Sequence, residues 1–179
     1  AVNSAGSKAP LDGQLLADGR RGCGRSPSTR KRLAVVISHP IQHFVPLFQH
    51  LARQLDVEIK VFYCCDWGVR EYTDSGFGKS FAWDIPMLDG YESEFLPIRR
   101  RPRSLSFFEM DNPEVGSRLS EFQPDAVWVH GYTHRTSWRV LRWARGRARV
   151  LYFGDSELLS ARGVGSRAMK RIVLPRYFA

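Results

Sequence analysis

Short apolar, β-branched runs, separated by stretches with helical spacing, constrain this chain more than any other feature of its sequence. The clearest runs are residues 32–38 (RLAVVIS), 57–63 (VEIKVFY), 126–129 (AVWV) and 150–153 (VLYF). The first is continuous rather than alternating, as a strand covered on both faces requires in a parallel sheet. Between the first two, apolar residues fall at Ile41, Phe44, Val45, Phe48, Leu51, Ala52 and Leu55, the spacing of a helix face. Pro46 lies early enough in that pattern for a first turn to tolerate it. Strand, helix and strand make a βαβ unit, whose crossover is right-handed. Asn112 as cap with Pro113 at the first position predicts a helix ending near Phe122. A basic amphipathic helix is expected over 137–145, with Trp138, Val140, Leu141, Trp143 and Ala144 as apolar contacts. A last one is expected over 165–178, kinked at Pro175. Residues 81–85 and 91–98 are further strand candidates, 64–80 a long glycine-containing loop, and 99–106 a basic loop. This order predicts an α/β fold, a Rossmann-like parallel sheet with helices on both faces. Ligands of such sheets sit beyond the carboxyl ends of the strands, near the switch point. The loops that begin at His39, Cys64, His130 and Gly154 are therefore the places to seek a site.

The chain has 179 residues, enough for one domain with a core, and 43% of them are hydrophobic. Residues 1–30 carry few large apolar side chains besides Leu11, Leu15 and Leu16, and are expected to form a disordered basic segment. Residues 31–179 are the expected folded domain. Net charge is +9, from 27 Lys and Arg against 18 Asp and Glu. The excess is local: Arg20 to Arg32, Arg99 to Arg103, and Arg135 to Arg149. Such surfaces attract nucleic acid, anionic lipid or phosphorylated substrates, and a solvated basic face without a partner fits equally well. Cys23, Cys64 and Cys65 have neither zinc nor disulfide spacing, and a reducing, cytoplasmic setting is the default. Cys64 and Cys65 should point to opposite faces of a strand. No apolar run approaches the roughly 20 residues of a membrane span. The chain begins with Ala and its final pattern runs on to the last residue, so a fragment of a longer protein is expected.

Several residues have the chemistry of a site. His39-Pro40-Ile41-Gln42-His43 places polar groups at a strand-to-helix junction, where helix N–H groups favour anions. No Gly-x-Gly-x-x-Gly or P-loop is present, which argues against nicotinamide and Walker-type nucleotide binding. His39 and Gln42 could equally cap the helix. His130 ends a buried strand, and imidazole suits proton transfer near neutrality; a loop histidine bonded to backbone is the commoner case. Asp155, after Phe153-Gly154, could orient a sugar hydroxyl or a histidine, or cap the following turn. Asp66, Glu71 and Asp74 could form a carboxylate site, or ion pairs with Arg70 and Lys79. No Gly-x-Ser-x-Gly elbow supports a hydrolase triad.

His39-Pro40-Ile41-Gln42 followed by Pro46-Leu47-Phe48, then residues 76–86 (GFGKSFAWDIP) and 88–91 (LDGY), resemble the N-terminal domain of bacterial family 4 glycosyltransferases. His130-Gly131-Tyr132 and Gly154-Asp155-Ser156 continue the likeness, which spans roughly residues 32–178. The resemblance implies the N-terminal half of a GT-B fold, in which two Rossmann-like domains enclose the active site. This half would bind the acceptor. A C-terminal domain, commonly bearing an E-x7-E pattern, would hold the nucleotide-sugar, and the chain is expected to stop before it. By the same resemblance His130 is the catalytic residue, hydrogen-bonding or moving a proton near the reacting sugar. His39, Gln42, Gly131, Tyr132 and Asp155 are the substrate-binding residues, with His39 bordering the phosphates. Related sequences often read Arg-Gly-Asp-Ser where this chain has Phe153-Gly154-Asp155-Ser156, so the anionic contact of that arginine does not carry over. The family needs no bound metal, and the nucleotide-sugar is a co-substrate rather than a cofactor. The implied partners are a glycan or lipid-linked acceptor and the inner membrane surface, with nucleic acid not expected. Two alternatives remain beside it: a basic Rossmann-like binding module for nucleic acid or another anionic polymer, and a non-catalytic fragment, because half a cleft transfers nothing alone.

Overall fold

A computed structural model of the chain describes residues 30–69, 72–73, 80–81 and 86–154. The strands are β1 (Lys31–Ile37), β2 (Val57–Tyr63), β3 (Tyr72–Thr73), β4 (Ser80–Phe81), β5 (Glu92–Phe95), β6 (Ala126–His130) and β7 (Arg149–Phe153). The helices are α1 (Val45–Ala52), α2 (Val115–Phe122) and α3 (Arg135–Ala144), and a 3-10 turn, Gln42–Phe44, precedes α1. β5, β2, β1, β6 and β7 lie side by side in that order in an all-parallel sheet. β3 and β4 pair separately and antiparallel. The protein is thus an α/β, Rossmann-like domain.

β1 is the middle strand, and its side chains explain its unbroken apolar run. Val35 and Ile37 enter one core with Phe44 and Phe48 of the α1 side and with Ile59, Val61 and Tyr63 of β2. Ala34 and Val36 enter the opposite core with Val115 and Leu119 of α2 and Val140, Leu141 and Ala144 of α3. Helices therefore cover both faces, as expected. At the amino end of the sheet, Asp125 accepts the Arg32 N–H at 2.9 Å and pairs with Lys31 at 3.1 Å, tying β1 to the entry of β6.

Several element boundaries differ from expectation. The first helix was expected from Ile41, but Ile41 is extended and α1 begins at Val45. Pro46 has no N–H to bond the Gln42 carbonyl, so the Val45 N–H takes it and tightens that turn to 3-10 geometry. The second helix starts at Val115, not at Pro113, and Asn112 does not cap it. The Asn112 side chain is instead wholly buried: its Nδ2 faces the carbonyls of Cys64 (3.0 Å), Leu96 (3.2 Å) and Pro97 (3.1 Å). The Thr136 hydroxyl lies 2.8 Å from its Oδ1. α3 starts two residues earlier than expected, and β6 extends through His130. β5 is shorter than the run 91–98, because Pro97 cannot donate to the ladder. Of the run 81–85 only Phe81 is in a described strand. Cys64 and Cys65 fall just past β2, and both thiols are buried and free. Burial pushes both up, Cys65 to about 11, so neither is a thiolate at neutral pH. Of the expected segment 1–30 all but Arg30 lies outside the described residues, as do Glu71, Asp74, Asp155 and the helix 165–178. Among the described residues no helix is long and apolar enough to cross a membrane.

Candidate functional site

The chain leaves β1 toward α1 on one face of the sheet and leaves β6 toward α3 on the other. The two exit loops part, and the crevice between them is the switch point of this sheet. His39 is two residues past the end of β1, and His130 is the last residue of β6.

The His39 ring is partly buried, with Nδ1 2.9 Å from the Ser38 hydroxyl and the ring 6.2 Å from that of Trp67. Burial first, and the neighbouring His134 and His130 rings second, lower its pKa from 6.5 to about 4. His39 is therefore neutral at physiological pH. It can donate or accept a hydrogen bond, but it brings no positive charge to a phosphate. The His130 ring packs against two aromatic rings that also meet each other at 5.8 Å. Phe44 meets it edge-on at 5.0 Å, and Phe153 stacks on it at 5.1 Å. Register explains the second contact, since His130 pairs with Phe153 across β6 and β7.

Gly131 follows with φ +76, which turns the chain away from β6, and its N–H bonds the Phe153 carbonyl at 2.8 Å. A Cβ here would meet nothing within 4 Å, so the backbone conformation, not space, favours glycine. The Tyr132 ring stacks on Tyr152 at 6.2 Å, and its carbonyl accepts the Trp138 indole N–H at 2.8 Å. His134 then immediately precedes α3 and is only 7% exposed. Burial and His130 lower its pKa, against a hydrogen bond with the Leu105 backbone that raises it. Its Nδ1 has no hydrogen-bond partner among the described residues. The Arg135 and Thr136 amides at the start of α3 are already bonded to the carbonyls of Phe107 and Met110, both at 3.1 Å. They are not open to an anion.

The structure thus brings His39 and His130 together and adds His134. Gly131 and Tyr132 adjoin them. Gln42 is exposed on the 3-10 turn, whose Phe44 meets the His130 ring. Sequence reasoning did not place His134, Trp67 or Phe44 at the site, and named Phe153 only as the residue that stands where related sequences have arginine. Only His134 carried a signal, as a second histidine four positions after His130 at the entry of a helix. Among the described residues, no group of three or more His, Cys, Asp or Glu side chains could hold a metal ion. The chain matches no protein-family model and no curated protein.

Proposed function

We propose that the chain is the acceptor-side portion of a glycosyltransferase that moves a sugar from a nucleotide-sugar to a glycan or lipid-linked acceptor. The observation that supports this reading is the juxtaposition of His39 and His130 at the switch point of a parallel five-stranded sheet. The likeness of residues 76–91 to family 4 sequences supplies the reaction class. In this reading His130 is the catalytic residue. Its ring, fixed in plane by Phe44 and Phe153, hydrogen-bonds a hydroxyl of the reacting sugar and handles its proton. His39, neutral and braced by Ser38, donates or accepts a hydrogen bond at the substrate's phosphate-proximal end. Gln42, Gly131, Tyr132 and Asp155 complete the substrate-binding set. The nucleotide-sugar is gripped by a second domain that faces this one.

The test is transfer from a panel of nucleotide-sugars by the full-length protein, wild type against His130→Ala. The substitution is expected to lower turnover by about 10²–10⁴-fold. Unchanged turnover would remove His130 from the mechanism. Donor titration of residues 1–179 alone is expected to show only weak binding. Tight binding by this portion would contradict the division of roles.

A further inference from the structure

The loop between β5 and α2 carries apolar side chains into solvent. Leu105 is 40% exposed, Phe107 38% and Phe108 79%, and the two phenylalanine rings pack edge to face at 5.1 Å. Exposing adjacent phenylalanines is unfavourable unless something covers them. The loop is braced from within. The Glu109 carboxylate accepts the Arg103 N–H at 3.1 Å and pairs with Arg100 at 2.8 Å. The Arg135 N–H bonds the Phe107 carbonyl. These bonds hold the apolar tip against the start of α3.

Around the tip the charge is positive. Phe107 shares an open cleft of about 270 Å³ with Arg135, Trp138, Arg139 and Arg142. Asp111 neutralises part of this face, pairing with Arg139 at 2.6 Å and Arg135 at 3.2 Å. Arg103 and Arg142 are exposed and form no ion pair with any described residue. Glu109 also attracts the Arg103 charge, and Arg142 stays exposed. An apolar tip rimmed by this arginine excess matches the two layers of an anionic bilayer, acyl chains beneath and headgroup phosphates above. Nucleic acid would use the arginines but gives no reason for a clustered Leu105, Phe107 and Phe108 tip. Base stacking calls for aromatics spaced along a basic groove.

We infer that this loop and the arginine face of α3 form a docking surface for an anionic lipid bilayer, with Phe107 and Phe108 inserted and Arg103 and Arg142 on the headgroups. The inference does not depend on the sugar-transfer reading. It has a geometric consequence for the switch-point crevice. The Leu105 backbone hydrogen-bonds His134, so the docking loop and the histidine cluster are directly joined. Docking would set the mouth of the crevice beside the lipid surface.

Cosedimentation of the full chain with phosphatidylcholine vesicles, with and without about a third phosphatidylglycerol, tests this. Preferential, salt-sensitive binding to the anionic vesicles is expected. Phe108→Ser should weaken it by about tenfold, and Arg142→Gln by about fivefold. A Phe108→Trp chain should add fluorescence that shifts to shorter wavelength with anionic vesicles. All three side chains are exposed, and an unchanged thermal midpoint will show that each variant folds. Equal binding to neutral vesicles overturns the inference. So does anionic binding that Phe108→Ser leaves intact, which would place the contact elsewhere, for example on residues 1–29. Loss of oligonucleotide binding in Phe108→Ser, with vesicle binding unchanged, would assign the tip to nucleic acid instead.

Discussion

Asn112 joins stretches of chain that are far apart in sequence. Its buried amide reaches backbone carbonyls after β2 and after β5, and its carbonyl meets the Thr136 hydroxyl at the start of α3. Removing the amide leaves three buried or partly buried acceptors without that donor, and the cost of unmet buried hydrogen bonds sets the scale. Asn112→Ala is expected to lower stability by about 2–4 kcal/mol, read as a shift of the urea midpoint. A variant within about 0.5 kcal/mol of wild type would show that water replaces the amide. The sequence Asn-Pro satisfies the local chemistry of a helix cap, and local chemistry is all that spacing conveys. The acceptors that claim this amide come from positions 15 to 48 residues away, so its role was not legible. His130 was legible because the end of a buried strand is a defined place. The aromatic contacts of its ring were not, because Phe153 reaches His130 through strand register and Phe44 through a turn.

At the scale of elements, the strands were read best where the run is rich in apolar residues, including the exposed edge strand β7. β1 and β6 have near-continuous apolar runs and lie inside the sheet, whereas β2, also inside it, carries Glu58 and Lys60 among its apolar residues. β5, with the sequence ESEF, lies at the sheet edge, where Glu92 and Glu94 pair with Lys60 at 2.9 and 3.0 Å; its real length was hidden by that polar composition. The helix ends were read less well, because the Pro46 effect and the capture of Asn112 act on hydrogen bonds rather than on periodicity. The end of α2 offers a clean test. Gln123 has φ 53 and ψ 57, the left-handed conformation that suits glycine, and its N–H closes the helix on the Leu119 carbonyl at 2.9 Å. Its side chain is exposed. Gln123→Gly is expected to raise stability by about 0.5–1 kcal/mol by removing the Cβ clash. A lower thermal midpoint in the variant would refute that account, since the added freedom of the unfolded chain would then outweigh the relieved strain.

For the molecule as a whole, the histidine cluster makes stability depend on pH. His39 binds its proton near pH 6.5 when unfolded and only near about 4 when folded. The folded state thus holds fewer protons between those values, and the favourable contribution is fully present above 6.5. It fades as the pH falls from 6.5 toward 4, by up to about 3 kcal/mol for this group. His134 is shifted the same way and adds to the trend. Thermal midpoints measured from about pH 7 to about pH 4.5 should fall less steeply for His39→Gln than for wild type. Parallel curves would place the acid sensitivity elsewhere. The sheet order has a further consequence, for synthesis. β1 pairs on one side with β2, soon after it in the chain, but on the other with β6, and Arg32 meets Asp125 only 93 residues later. At about 5–20 residues per second, translation takes about 5–20 seconds to supply that partner. Throughout that interval the nascent chain presents the bare edge of its most apolar strand, so the ribosome and its chaperones meet the future centre of the sheet as an open border.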